Sequence, residues 1–418
     1  MGIDTLQAGP RILSPTHFRW LICGFCFLHQ SLSLVFGSII GGSAVASDPL
    51  GIPTMGLWRS EETQEELVKV ISGAYYFDGW IGKTDRWHLP RRLKEEFGER
   101  CPIWGWVTST PDIMRQQIDC AANHGLNFFA FCWYYPEDTN KVTPLNNALN
   151  IFLEAPNQKK LDFCILVANH EGFRIGPAEW EACCTRWLAL FKNPSYVKAD
   201  GKPLIIFLSP YTLDKLFGGP EAVRAAFDQL RTKAEQAGLP GVSIAGCWDA
   251  RELDPPKSGL PKNEVESGYS FVTGYAMPHF YAPNWPKRRQ TFQHLIDGHV
   301  KAWDILARHS TLPYIPVATL GWDMRPWEKP GLLEEQQVIY FPDRTPKKLE
   351  TMVRNAKWWI GKNPLRTSRE KLLLMYAWNE YGEGGYITPT KQDGSTYLEA
   401  VKRGLNSPMT AKDGSSNQ

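Results

Sequence analysis

Eight short apolar runs recur along this chain, dense in β-branched or aromatic residues: Val68–Tyr76, Asn127–Tyr135, Asp162–Asn169, Pro203–Ser209, Val242–Asp249, Phe271–Met277, Tyr314–Trp322 and Lys371–Trp378. Runs this short and this apolar read as strands covered on both faces. Amphipathic stretches separate most of them. Thr110-Pro111-Asp112 supplies an N-cap, a first-turn Pro and a first-turn acid, opening a helix to about His124. Pro177–Phe191 and Pro220–Ala237 are two more helices. Phe292, Leu295, Ile296, His299, Val300, Trp303 and Leu306 mark one face of another at helical period, and Lys347–Ile360 and Tyr397–Leu405 complete the set. Strands separated by helices pair in parallel through right-handed crossovers, and eight is the number that closes a (β/α)8 TIM barrel. A doubly wound open sheet is the competitor. It would carry a Gly-rich phosphate turn after the first strand, where this chain has Tyr75-Tyr76-Phe77-Asp78-Gly79-Trp80. The expectation is a single α/β barrel over residues 47–405, with a flexible tail over 406–418 rich in Ser, Lys and Gly.

The residues before the barrel read as a targeting segment. Arg11 and Arg19 precede a mostly apolar stretch, Trp20 to Ile40, and Ala44-Val45-Ala46 gives the small-x-small pattern that a signal peptidase cuts, leaving Ser47 as the new N-terminus. Gln30 and Ser31 dilute the apolar core, so a retained anchor is the alternative. No later stretch reaches the ~18 continuous apolar residues of a membrane span, so the mature protein is expected to be secreted or periplasmic, without an integral membrane domain. Charges nearly cancel, 46 Lys and Arg against 44 Asp and Glu, with no basic block, which argues against a nucleic-acid partner. Seven Cys lie beyond the leader, Cys101, Cys120, Cys132, Cys164, Cys183, Cys184 and Cys247. Their odd number and the lack of C-x-x-C spacing suggest buried thiols and no zinc site.

In a barrel of this kind, chemistry sits where the strands end. The first strand delivers Tyr75, Tyr76 and Asp78, the second Trp133 and Tyr134, the third Asn169, His170 and Glu171. The fifth ends in Trp248 and Asp249, the sixth is followed by Tyr275 and His279, and the seventh carries Trp322, Asp323 and Arg325. Flat aromatics can stack on the C–H faces of sugars while packing below, so this rim suits a polyhydroxylated ligand. Each residue has a plainer reading. Asp78 can cap a helix, Asp323 can pair with Arg325, His170 can be a satisfied imidazole, and most of the 17 Trp must be core.

The last strand is the sharpest signal. Trp378-Asn379-Glu380-Tyr381-Gly382-Glu383-Gly384-Gly385 follows the apolar run Leu372–Ala377. It presents two carboxylates three positions apart. Unpaired acids are costly to bury, so the pair is expected to face a cleft. Paired carboxylates there are the usual equipment for acid/base work on a sugar acetal, against the plainer reading of a solvated Glu-Gly turn.

Asn379-Glu380-Tyr381-Gly382-Glu383-Gly384 resembles the N-E-W-H-E-G signature of glycoside hydrolase family 99 and the N-E-W-A-E-G of family 99-like, or WbsX-like, proteins. Ala74-Tyr75-Tyr76, Gly321-Trp322-Asp323 with Arg325, Ile387-Thr388-Pro389-Thr390 and Tyr397-Leu398 extend the likeness. The resemblance implies a barrel acting on α-linked polysaccharide or glycan, without metal or organic cofactor. It implies Glu380 as base toward the sugar 2-hydroxyl and Glu383 as acid/base at the glycosidic oxygen, with a 1,2-anhydro sugar as intermediate and overall retention. Trp378, Asn379 and Tyr381 would join the substrate-binding residues. Tyr381 and Gly382 replace the signature's Trp-His, and Gly382 is expected to open space for a different sugar, a branch or a sulfate. Two other classes stand beside the hydrolase: a glycosyltransferase of polysaccharide synthesis, disfavoured by the leader and the lack of a D-x-D motif, and a non-catalytic carbohydrate-binding barrel.

Overall fold

The computed structural model describes residues 68–82, 88–135, 143–170, 172–249, 264–277, 288–333 and 338–408. The expected leader, its Ala46–Ser47 junction and the tail from 409 lie outside the described residues. All eight apolar runs contain a barrel strand: β1 Ile71–Tyr76, β2 Phe128–Trp133, β3 Asp162–Val167, β4 Lys202–Phe207, β5 Ser243–Cys247, β6 Phe271–Thr273, β7 Val317–Thr319 and β8 Leu372–Tyr376. Neighbours pair in parallel in the order β6-β5-β4-β3-β2-β1-β8-β7. The register runs from Gly73↔Phe128 on one side of β1 and from Ile71↔Leu372 on the other. The ring closes between β6 and the segment leading into β7. There Val272 N donates to Pro313 O at 3.0 Å, Ile315 N to Val272 O at 2.9 Å, and Thr273 Oγ1 to Ile315 O at 2.8 Å. The fold is an α/β, near-closed eight-stranded parallel barrel ringed by helices, a (β/α)8 TIM barrel, and its elements belong to one compact unit, Glu66–Gln418.

The helices form where the sequence places them because their caps are local. Thr110 accepts from Ile113 N for Pro111–Asn123, Thr291 from His294 N for Phe292–His309, and Thr345 from Lys348 N for Pro346–Lys362. Pro177–Phe191, Pro220–Gln236 and Thr396–Asn406 also match. The last helix is held at its C-terminal end by buried Lys357, whose Nζ donates to Leu405 O at 2.7 Å and Ser407 O at 2.9 Å. Arg91–Glu96, Asn147–Glu154 and Pro210–Phe217 were not foreseen. The first buries only Leu93, and the second takes its capping acceptor from Asp78.

Several of the described tryptophans pack between barrel and helices. Trp180 and Trp187 contact each other and Phe207, with Phe227 beyond, and Trp303 donates from its indole to Val317 O at 2.9 Å. The seven described Cys are all free thiols, buried or half-buried. Among the described residues no helix is long and apolar enough to cross a membrane.

Candidate active site at the barrel mouth

Beyond β8 the chain is clamped to the end of β1. Trp378 N donates to Tyr75 O at 2.8 Å. The Asn379 amide then bonds both ways to one residue, accepting from Phe77 N at 2.9 Å and donating to Phe77 O at 2.8 Å. Trp80 Nε1 adds a bond to Asn379 O at 2.9 Å. Asn379–Glu380 pairs antiparallel with Gly385–Tyr386, and a 3-10 turn, Tyr381–Glu383, joins the two. Gly384 closes the turn with φ +73°, and a Cβ there would meet Asp323 N at 2.9 Å. From the other side, a Cβ on Gly321 would fall 2.0 Å from Gly384 O. The glycines are therefore required by close backbone approach.

This turn holds both acids in a buried position, Glu380 at 6% and Glu383 at 5% exposure. Each carboxylate accepts from a tyrosine: Tyr275 OH donates to Glu380 Oε1 at 2.6 Å, and Tyr376 OH to Glu383 Oε2. The two phenol rings meet at 4.9 Å between centroids. Burial pushes both carboxyls above their ordinary range, and repulsion from Glu383 adds to the rise at Glu380; the tyrosine hydroxyls offset part of it. Glu383 reaches about 7.

A buried ion cluster braces the turn from below. Asp323 accepts from Arg100 Nη2 at 2.6 Å and from Arg325 Nε and Nη2 at 2.8 Å each. Arg100 Nη1 also reaches Asp323 O at 3.0 Å and Tyr381 O at 3.1 Å, while Asp323 N donates to Glu383 O at 2.6 Å. Burial alone would raise the Asp323 carboxyl, but the Arg325 hydrogen bond and both guanidinium charges outweigh it and the net direction is down.

The remaining rim residues separate into three groups. Tyr134, Tyr275, Trp322 and Tyr75 gather around the acids or just beneath them. Burial, the Cys132 thiol and then both carboxylates raise the Tyr134 phenol, Trp322 lies 5.8 Å from Tyr376 between ring centroids, and Tyr75 packs on Tyr275 at 4.9 Å. Tyr76, Trp133, Trp248 and Trp378 instead turn toward the helices. Tyr76 OH accepts from Gln117 Nε2 at 3.2 Å, Trp378 Nε1 donates to Gln117 Oε1 at 2.7 Å, Trp133 packs on Trp187 and Trp248 on Tyr269. Tyr381 also leaves the mouth, buried against Trp80, Trp106 and Tyr386 with its hydroxyl accepting from Thr388. The third group is made of clamps. Asn379 and Asn169 spend their amides on backbone, Asn169 on both N and O of Ser209. His170 sits half-buried at the rim against Tyr134 and Phe173. Asp249 is half-buried beside 250–263, and Glu171, His279 and 250–263 lie outside the described residues.

Two expectations are corrected. Asp78 is a helix cap: its Oδ2 accepts from Ala148 N at 2.5 Å and from Ser109 Oγ at 3.1 Å, at the start of Asn147–Glu154. Gly382 does not open space, because the Trp327 indole already fills it, with Nε1 2.5 Å from where a Cβ would stand. Three participants escaped sequence reading. Tyr376 lies inside the apolar run Lys371–Trp378, where it shares an inward parity with Leu374. Arg100 and Trp327 end three-residue 3-10 turns, Gly98–Arg100 and Arg325–Trp327, too short for a periodic signal.

Asp78 yields a stability prediction. Burial raises its carboxyl to about 7 from 3.8, with the Ala148 and Ser109 bonds opposing, and its Oδ1 is buried without a hydrogen-bond partner. A folded-state value raised this way stabilises most below pH ~4 and is lost as pH climbs through about 7. Asp78→Asn removes that dependence and keeps an acceptor for Ala148 N. Between pH 5 and 8 the parent should therefore lose stability relative to the variant, by about 2–3 kcal/mol. Urea midpoints across that range measure it, and parallel curves for the two proteins would refute the cap's buried proton.

The described geometry can be set beside known proteins. The family model "Glycosyltransferase WbsX" matches residues 106–401. A curated relative, the uncharacterized protein WxcX of Xanthomonas campestris pv. campestris strain B100, is 23% identical over 350 residues, covering 78% of this chain and 47% of the relative. The same protein from strain ATCC 33913 matches at the same identity and coverage. The chain thus spans about half the length of the curated relatives it matches. Among solved structures, a glycoside hydrolase-like protein superposes with TM-score 0.57 at 15% identity, covering 81% of this chain and 95% of its own. The GH99 endo-alpha-mannosidase from Bacteroides thetaiotaomicron gives TM-score 0.56 at 13% identity, with 80% and 96% covered. These two likenesses show the fold. With the family model matched over most of the barrel, this chain belongs to the family described as Glycosyltransferase WbsX.

Proposed function

We propose that this chain is an exported glycoside hydrolase that cleaves an α-linked polysaccharide or glycan with retention. The observation that carries the reading is the buried pair Glu380 and Glu383, each held by a tyrosine hydroxyl, at the end of the last barrel strand. Glu380 takes the proton of the sugar 2-hydroxyl as O2 attacks C1. The C1–O bond breaks, and the leaving oxygen takes a proton from Glu383. Water then opens the 1,2-anhydro sugar at C1, giving its proton to Glu383 while O2 recovers the proton from Glu380. Attack from the opposite face requires O2 trans to the leaving oxygen, which for an α-linked D-pyranose means an axial 2-hydroxyl. The substrate is a poly- or oligosaccharide, and the route needs no cofactor.

In the free site burial raises both carboxyls, with repulsion from Glu383 adding to the rise at Glu380, whereas this route needs Glu380 ionised and Glu383 protonated. Substrate supplies the difference. A 2-hydroxyl donating to Glu380 favours its charged form, and a glycosidic oxygen facing Glu383 favours its neutral one. Tyr275 already donates to Glu380.

The family's description as a glycosyltransferase favours a second reading, a glycosyltransferase of polysaccharide synthesis. The two separate in one screen. Incubating the protein from Ser47 onward with α-linked polysaccharides should release new reducing ends without any added nucleotide sugar. Release only when a nucleotide sugar is consumed would establish the transferase. Neither reaction, with sugar affinity retained, would leave a carbohydrate-binding barrel. Export rests on Ala44-Val45-Ala46 after the apolar stretch. Intact mass of secreted or periplasmic material should begin at Ser47, and full-length chain confined to the cytoplasm would overturn it.

A further inference from the structure

Position 382 has no side chain, yet its side-chain volume is filled. A Cβ on Gly382 would lie 2.5 Å from Trp327 Nε1 and 2.7 and 2.8 Å from two of the indole carbons. Trp327 ends a 3-10 turn, Arg325–Trp327, that follows β7, with Trp327 N bonded to Met324 O at 2.9 Å. Arg92 Nη1 ties the turn at Arg325 O at 2.8 Å, and the Arg325 side chain is locked on Asp323. The indole is therefore held in place before any ligand arrives. It continues into two more rings: His88 meets Trp327 edge-to-face at 6.0 Å, and Phe77 meets His88 at 5.1 Å. All three are half-buried, each keeping part of its surface in solvent. Their segments follow β1 and β7, the two strands that flank β8 in the ring. Phe77 is also the residue bonded on both sides by Asn379, next to Glu380.

We infer that Trp327, backed by His88 and Phe77, is the aromatic wall of the sugar subsite beside Glu383 and determines which pyranose that subsite accepts. The inference rests on the carbohydrate reading of the site. A flat indole offers a C–H-rich sugar face a stacking surface and offers a polar substituent on that face no carboxylate or amide partner. A sugar presenting only C–H groups to Trp327 is retained, and one placing an axial hydroxyl against it is discriminated against.

The test is affinity, measured by calorimetry in the Glu383→Gln background so that turnover does not interfere. The probes are α-1,3-linked mannobiose, glucobiose and galactobiose. Trp327→Leu keeps an apolar side chain over Gly382 and removes the flat ring; Trp327→Phe keeps a ring. The leucine change should weaken the preferred disaccharide about tenfold and bring the three affinities within about twofold of one another, while the phenylalanine change should retain most of both affinity and ranking. Should the leucine variant lose its cooperative melt, Trp327→Met carries the same comparison. Unchanged affinity and ranking in Trp327→Leu would overturn the wall while leaving the carbohydrate reading intact. Absence of binding by all three disaccharides to the Glu383→Gln protein, with no reducing ends released by the parent, would overturn both.

Discussion

Glu383→Gln should cut hydrolysis by about 10²–10⁴-fold, and Glu380→Gln by a similar factor, with both proteins still folded. The first removes the acid that protonates the leaving oxygen. The second removes the base that makes the 2-hydroxyl nucleophilic. Because both groups act in one step, the double variant should fall well short of the product of the two losses. A substrate with an activated leaving group needs little protonation, so it should rescue Glu383→Gln far more than Glu380→Gln. The pH-rate profile should be bell-shaped, its limbs belonging to the pair rather than to either residue. Stability should move the opposite way from activity. Both folded-state values are raised, so ionising Glu383 costs stability as pH climbs through about 7, and ionising Glu380 adds to that cost. Either glutamine should then be more stable than the parent at pH 8, since Tyr275 and Tyr376 keep an acceptor. A 2-deoxy substrate should fail with the parent enzyme. Efficient cleavage of it would point to a conventional enzyme nucleophile. Asp78, Asp249 and Asp323 would then be the candidates, the first of them a helix cap and the last paired with two arginines. Near-parental rates in both single variants would remove Glu380 and Glu383 from the chemistry.

The barrel was legible in the sequence because its signal is physical and local. A strand buried on both faces must be apolar throughout, and a helix on its outside must be amphipathic, so alternation of the two periods already implies the ring. The sequence shows two acids after a buried strand, but not their surroundings: instead of lining an open cleft both are buried, each against a tyrosine hydroxyl. What could not be read is which way a side chain turns once a strand ends. Tyr75 and Tyr76 are neighbours of one chemical type, but strand alternation sends the first inward to Tyr275 and the second outward to Gln117. The aromatic endings Trp133, Trp248 and Trp378 looked like a sugar platform and proved to be packing for the helical layer. The residues that shape the turn come from sequence-distant loops: Arg100, 281 residues before Tyr381, and Trp327 over Gly382. A lone Arg in a short polar helix, or a Trp after Arg-Pro, carries no periodicity to be noticed. Their roles exist only once the barrel brings the loops after β1, β7 and β8 together.

Asp323→Ala should destabilise the protein by about 3–5 kcal/mol, because it leaves a buried guanidinium without its counter-charge. The Arg100 side chain is only 5% exposed and that of Arg325 26%, so Arg100 bears most of the cost. Glu99, 3.6 Å from Arg100 Nε and 39% exposed, is too solvated to replace a carboxylate 2.6 Å away. Asp323→Asn keeps the shape and part of the hydrogen bonding and should lose less. The pH dependence separates charge from packing. The Asp323 carboxyl is held below its ordinary value, so its contribution is present above pH ~4 and lost as pH falls through the folded-state value. The parent should therefore lose this increment in acid, and Asp323→Asn should not. Activity provides a second reading of the same cluster. Asp323 N bonds Glu383 O, and Arg100 bonds Tyr381 O, so loosening the cluster shifts the acid turn itself. A displacement of about 1 Å costs on the order of 10²-fold in rate, which predicts that Asp323→Ala loses activity even at temperatures where it remains folded. A urea midpoint within about 0.5 kcal/mol of the parent, with full activity, would mean that the arginines hold the turn without Asp323.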